Sequence, residues 1–295
     1  MRLNEIQISR LLDDARKFVE EDKILHAVQV YRKLILLEPT LMLSYVELAS
    51  VYAERNYIDA AISTLVAAEP LFSGDPELLF RLGDFYLRAE QYDHALETFR
   101  QLIEEKSAPV HYKMGVAMFF LEKFADAEDQ FRTALQIDPN LPHVYESIGE
   151  LLLKRGQFQD AIRYLRKGIV ADPFYGVSHF LLGLAHGRLN EWKSAYDEFV
   201  LSIDMDPNEP LHWQMCGESL IHLNRLDEAE QYVRKALELD PGSAESVLLL
   251  GQINAMRGEY DTSAEWIHKA LNLDPENVRA KELLWHLRDS HKNAN

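Results

Sequence analysis

Five prolines, Pro139, Pro173, Pro207, Pro241 and Pro275, stand 34 residues apart. Three of them close nearly identical segments, ALQIDPN, ALELDPG and ALNLDPE. A unit that short cannot bury its own apolar face, so it has to stack on a neighbour. Two more prolines, Pro39 and Pro70, fall near the same phase toward the N-terminus.

The phase extends upstream of each proline. Gly115, Gly149, Gly183, Gly217 and Gly251 recur, and 12 residues later come Ala127, Ala161, Ala195, Ala229 and Ser263. Four residues further on are Phe131, Leu165, Phe199, Val233 and Ile267. Within one period, VYESIGELLLKRGQ and QDAIRYLRKGIVADP both place apolar residues three and four apart, which is helical spacing. The short turn between them predicts an antiparallel pair. The small residues belong where the two helices cross, because a larger side chain would hold the axes apart. Phe124, Phe158, Trp192 and Tyr260, each just before the alanine or serine, are expected to plug the wedge between units. The proline ends the second helix.

These residues resemble the tetratricopeptide repeat, a 34-residue helix–turn–helix unit with small residues near positions eight and twenty and proline near thirty-two. The resemblance implies an all-α, right-handed superhelical solenoid of antiparallel hairpins. Repeats are placed at 8–41, 42–75, 76–107, 108–141, 142–175, 176–209, 210–243 and 244–277, with 278–295 as a capping helix and tail. The first unit carries Ala15, Ala27, Tyr31 and Pro39 in the corresponding places, and the second Ala49, Ala61, Leu65 and Ala68. Pro70 arrives early, so the second unit's second helix is expected to stop short and link on through Gly74 and Pro76. The third unit has Gly83, Tyr92, Ala95 and Phe99 but no closing proline, and is two residues short; its connection is read as a hinge or a variant turn. Leu283, Leu284 and Leu287 are expected to cover the last hairpin, with Lys281, Glu282, Arg288 and Asp289 toward water. Trp285 falls where the small residue would be, with no second helix following to exclude it.

The net charge of −17 disfavours a phosphate backbone and an anionic membrane surface, so neither nucleic acid nor a bilayer is the expected partner. No stretch reaches the ~20 apolar residues of a membrane span. The start, MRLNEIQISRLLDDARKF, lacks a secretory pattern, and Cys216 is the single cysteine. The cytoplasm is the expected location, although an exported chain with its signal removed would read the same. No glycine-rich phosphate loop, GxSxG or HExxH is present, so no catalytic, cofactor or metal site is expected. His212 and Cys216 are four apart and would supply only half a metal site. His179 and His186 share a helix face, and the pairs Asp13–Asp14 and Glu104–Glu105 read as helix surface or turn.

In the family pattern, the second, fifth, ninth and twelfth residues of each unit face the concave side. The resemblance therefore implies a peptide groove made by Phe80, Asp84 and Leu87, then Tyr112, Val116 and Phe119, then Glu146 and Glu150, then Phe180, Leu184 and Glu218. Ile221 and Leu248 belong to the same rows. The groove reads as apolar and aromatic, with acids at Glu77, Asp84, Glu146, Glu150, Glu218 and Glu245 and few bases nearby, Arg88, Lys154 and Arg188 standing one step along from these rows. Its expected partner is another protein, held through an amphipathic or basic segment. The alternative is that the apolar residues pack within the array. The fifth and ninth positions hold no lysine–asparagine pair, so the clamp that some relatives close on a terminal carboxylate is not expected. Two other functions stay open: a homo-oligomeric assembly scaffold, and an accessory subunit of an enzyme complex.

Overall fold

The computed structural model describes residues 3–173 and 176–293, and the side chains of these apart from 105 and 288–293. Among the described residues there are seventeen α-helices, one short 3-10 turn and no strand. The chain divides into two compact units, Met1–Pro139 and Asn140–Asn295.

The first unit contains four hairpins. They are Glu5–Glu20 (α1) with Ile24–Leu37 (α2), Met42–Glu54 (α3) with Ile58–Ala68 (α4), Pro76–Arg88 (α5) with Tyr92–Arg100 (α6), and Ala108–Phe120 (α7) with Phe124–Ile137 (α8). The second unit contains Pro142–Lys154 (α9) with Phe158–Ala171 (α10), Gly176–Arg188 (α11) with Trp192–Met205 (α12), Pro210–His222 (α13) with Leu226–Leu239 (α14), and Ala244–Met256 (α15) with Tyr260–Leu273 (α16). A final helix, Val278–Asn293 (α17), follows. Within a unit, each second helix packs on its own first helix and on the first helix of the next hairpin. Several first helices also touch the next one, α3 with α5, α5 with α7, α9 with α11, α13 with α15 and α15 with α17.

In the six hairpins from α5 onward the crossing is fixed by a missing side chain, with Ala15 and Ala49 in that place in the first two. A Cβ built on Gly115 would come 2.6 Å from the Phe131 ring, and one on Gly183 would come 2.6 Å from Phe199. Phe99, Phe131 and Phe199 are almost wholly buried, so the ring fills the space the glycine leaves.

The turn inside each hairpin is a second constant. The fifteenth residue of every unit is left-handed: Asp22, Asn56, Glu90, Glu122, Gly156, Asn190, Asn224 and Gly258. The next residue's N–H reaches back to the first helix, as in Tyr57 to the Tyr52 carbonyl (2.9 Å) and Gln157 to Leu152 (2.8 Å). Asn56 N–H meets Ala53 at 3.1 Å and Gly156 N–H meets Leu153 at 3.0 Å. This pair of bonds is a Schellman cap, which satisfies carbonyls the helix end would leave open.

The irregular connections fall where the prolines are displaced or missing. α4 ends at Ala68, and the chain turns through Gly74 (φ +77°) to Asp75, whose carboxylate accepts the Leu78 N–H (3.0 Å) ahead of Pro76. α6 stops at Arg100 and is followed by the 3-10 turn Ile103–Glu105, with Lys106 left-handed after it. α17 lays Leu287, with Leu283 and Leu284 beside it, on the core of the last hairpin. Trp285 is exposed. The side chains of Arg288 and Asp289 lie outside the described residues.

Candidate interaction surface

The first-helix face of each unit can be built from the fifth position outward. Phe80, Tyr112 and Phe180 are half-buried, and each leans on the buried aromatic of its own hairpin. Ring centroids are 5.8 Å apart for Phe80–Phe99, 5.9 Å for Tyr112–Phe131 and 5.7 Å for Phe180–Phe199. These rings are therefore anchored from below and present one side outward, which holds them in place without hiding them. Phe180 also stacks on His212, 4.7 Å between centroids. Leu87, Val116, Phe119 and Leu184 are half-buried as well. Phe119 meets Phe120 and Phe124 edge-on. Ile221 and Leu248, placed in the same rows by sequence, are buried instead and belong to the core.

The expected acidic character changes once the cations are located. Asp84 pairs with Lys113, and Glu77 with Arg81 (3.1 Å). Arg279, on α17, reaches Glu218 (3.0 Å) and Glu245 (2.5 Å) and donates to Gln252 (3.1 Å). Against the expectation of few bases, Arg81, Lys113 and Arg279 sit on four of the six acids. Arg279 was open to discovery, because it occupies the second position of the unit that begins at Val278. Glu146 is half-buried and Glu150 exposed. Arg88 turns away to donate to the Ala53 carbonyl (2.8 Å), joining two hairpins.

Two cavities open among these residues. In the first unit, Phe80, Phe85, Leu102 and Val110 line a space of about 570 Å³ bordered by Asp84 and Lys113. The 3-10 turn after α6 contributes to it, since Leu102 and Ser107 flank that turn. In the second unit, Leu184, Trp192, Phe199 and Met215 line about 500 Å³ bordered by Arg188 and Glu218. Of the eleven residues predicted for the groove, Phe80 and Asp84 share the first cavity and Leu184 and Glu218 the second; the other seven border neither.

Two of the histidines weighed for other chemistry have carboxylate partners. His179 meets Glu198 (2.7 Å) and His186 meets Glu191 (2.5 Å), all four within one hairpin. Cys216 is buried, and burial pushes its thiol pKa well up, away from a reactive thiolate. Among the described residues no group of three or more His, Cys, Asp or Glu side chains is arranged to hold a metal. None of the described helices is long and apolar enough to cross a membrane.

Stacked helical hairpins with anchored aromatics on one face define a helical-repeat protein. Tetratricopeptide repeat patterns match residues 46–110, 146–210 and 217–278, and a further one matches 108–141. The chain belongs to the tetratricopeptide repeat family. It is 22% identical over 232 residues to the TPR repeat-containing protein YpiA of Bacillus subtilis strain 168, covering 77% of this chain and 54% of that protein. It thus spans about half the length of this relative. Among solved structures, the Cut9–Hcn1 hetero-tetramer of the APC/C superposes with a TM-score of 0.66 at 15% identity, covering 94% of this chain and 55% of that one. PilW, a type IV pilus biogenesis factor, gives 0.62 at 19% identity, covering 70% and 97%. Proteins of this family are generally protein-interaction scaffolds.

Proposed function

We propose that this protein is a non-catalytic scaffold that holds a segment of another protein on its first-helix faces. The observation that carries the reading is the half-buried rings, Phe80 and Tyr112 in the first unit and Phe180 in the second, each fixed by a core aromatic and partly exposed. Rings held in advance lose little freedom on binding, which favours them as anchors. The cations on Glu77, Asp84, Glu218 and Glu245 reduce the pull on a basic partner, so an amphipathic segment is favoured over a purely basic one. The chain's likeness to proteins of multi-subunit assemblies, Cut9–Hcn1 among them, supports an assembly role. The cytoplasm remains the proposed location.

The test is affinity capture with the intact chain and with Tyr112→Ser plus Phe119→Ser. Loss of the captured partner with helicity retained is the expected result. Undiminished capture would discard the aromatic face as the binding surface.

A second reading, self-association through the N-terminal hairpin, is favoured by Ile6, Leu25 and Leu36, each 78–80% exposed. Light scattering across a concentration series distinguishes them: a stable dimer supports self-association, and a monomer at all concentrations removes it.

A further inference from the structure

We propose that the cavity formed by α11, α12 and α13 is a specificity pocket for a bulky apolar side chain flanked by a carboxylate, carried on a segment of a partner protein. This rests on the scaffold reading above and names the chemistry that one part of the surface selects.

The lining sets the first half of the specificity. Leu184, Trp192, Phe199 and Met215 give an apolar wall around about 500 Å³, room for an aromatic or large aliphatic side chain with the backbone that carries it. Gly187 keeps the space open: a Cβ there would meet only Trp192 Cζ3, at 3.5 Å. The Trp192 indole is itself held by stacking on His222.

The rim sets the second half. Of its two charged groups, Glu218 is held by Arg279 at 3.0 Å, a guanidinium it shares with Glu245 at 2.5 Å. Arg188 is exposed and, among the described residues, has no carboxylate partner. The charged group at the rim without an ion-pair partner is therefore a cation, although the chain as a whole carries −17. A guanidinium beside an apolar hole matches an apolar residue with aspartate or glutamate next to it. A long polyanion such as a nucleic acid fits poorly, because its charge would extend past Arg188 over an acidic surface.

The probe is a blocked heptapeptide centred on Glu-Phe-Asp, with Glu-Ala-Asp and Lys-Phe-Lys counterparts. It is titrated into the full isotope-labelled chain while the Trp192 indole N–H resonance is followed. Saturable shifts are expected with Glu-Phe-Asp, with affinity lower by about tenfold for Glu-Ala-Asp, from the lost ring burial. Lys-Phe-Lys should bind more weakly than Glu-Phe-Asp, and added salt should narrow that gap. Gly187→Leu fills the pocket with a better helix former and should abolish saturation while helicity is kept. Arg188→Glu, an exposed change that leaves the core untouched, should weaken Glu-Phe-Asp by several-fold; it carries the test if Gly187→Leu loses helicity. Equal or tighter binding of Lys-Phe-Lys, no saturation by Glu-Phe-Asp, or unchanged binding in Arg188→Glu would overturn the assignment. If the peptides fail while Tyr112→Ser plus Phe119→Ser still loses partner capture, the pocket assignment falls and the scaffold reading stands.

Discussion

The Trp192 indole lies flat on the His222 imidazole, with 3.7 Å between ring centroids and 4° between planes. Trp192 opens the second helix of one hairpin and His222 closes the first helix of the next. Tyr92 and Phe120 repeat the relationship in the other unit, at 4.9 Å and 8°. Trp192 thus fills the wedge as expected of it, Tyr92 does the same in the other unit, and Phe124 meets Phe119 of its own hairpin.

The burial of His222 makes its contribution to stability depend on pH. Burial lowers the His222 pKa below its ordinary 6.5; nearby Arg279 lowers it further, while Glu218 pulls the other way. The unfolded chain therefore takes up the proton first as pH falls. Stability is full above pH 6.5 and is lost on acidification through the window down to the lower folded pKa. The melting temperature should fall as the pH drops below 6.5, and fall less steeply in His222→Gln.

Gly115→Ala should destabilise the chain by about 1–3 kcal/mol, because its Cβ would press on Phe131 in a filled core. Urea denaturation measures this. Adding Phe131→Leu to Gly115→Ala should recover part of the loss, since the ring is the obstacle.

Glu90 and Glu122 hold left-handed backbone, which disfavours a side chain with a Cβ. Glu122→Gly should raise stability by about 1 kcal/mol, as Gly156 and Gly258 already fill the equivalent place. A lower urea midpoint in Glu122→Gly would show that the glutamate side chain contributes more than the strain costs.

Arg279→Gln should lower stability by no more than about 1 kcal/mol, because its guanidinium is partly open to solvent. The loss should shrink in high salt. A double-mutant cycle with Glu245→Gln should show coupling, and strictly additive losses would show that the 2.5 Å contact adds nothing in solution.

Much of the architecture was legible because it depends on local spacing. The glycine and bulky residue sixteen positions apart, as in Gly115 and Phe131, mark a contact that any register of that hairpin must make. The early proline at Pro70 marked the end of α4 correctly. The left-handed turn was half-visible: Asn56, Gly156, Asn190, Asn224 and Gly258 announce it, whereas Glu90 and Glu122 conceal it. The charge pattern was least legible. Asp84 and Lys113 are 29 residues apart, and Glu245 and Arg279 are 34 apart. Whether such groups meet depends on side-chain reach between hairpins, which spacing alone does not express.

Each hairpin closes around its own buried side chain, and within a unit it leans chiefly on what comes immediately before and after, the reach of Arg279 to Glu218 being longer. Damage is therefore contained: a lesion at one crossing weakens that link and its two seams, while more distant links keep their own closures. A molecule built in this way can lose stability piece by piece, and a surface borne on one link can diversify with little penalty to the others.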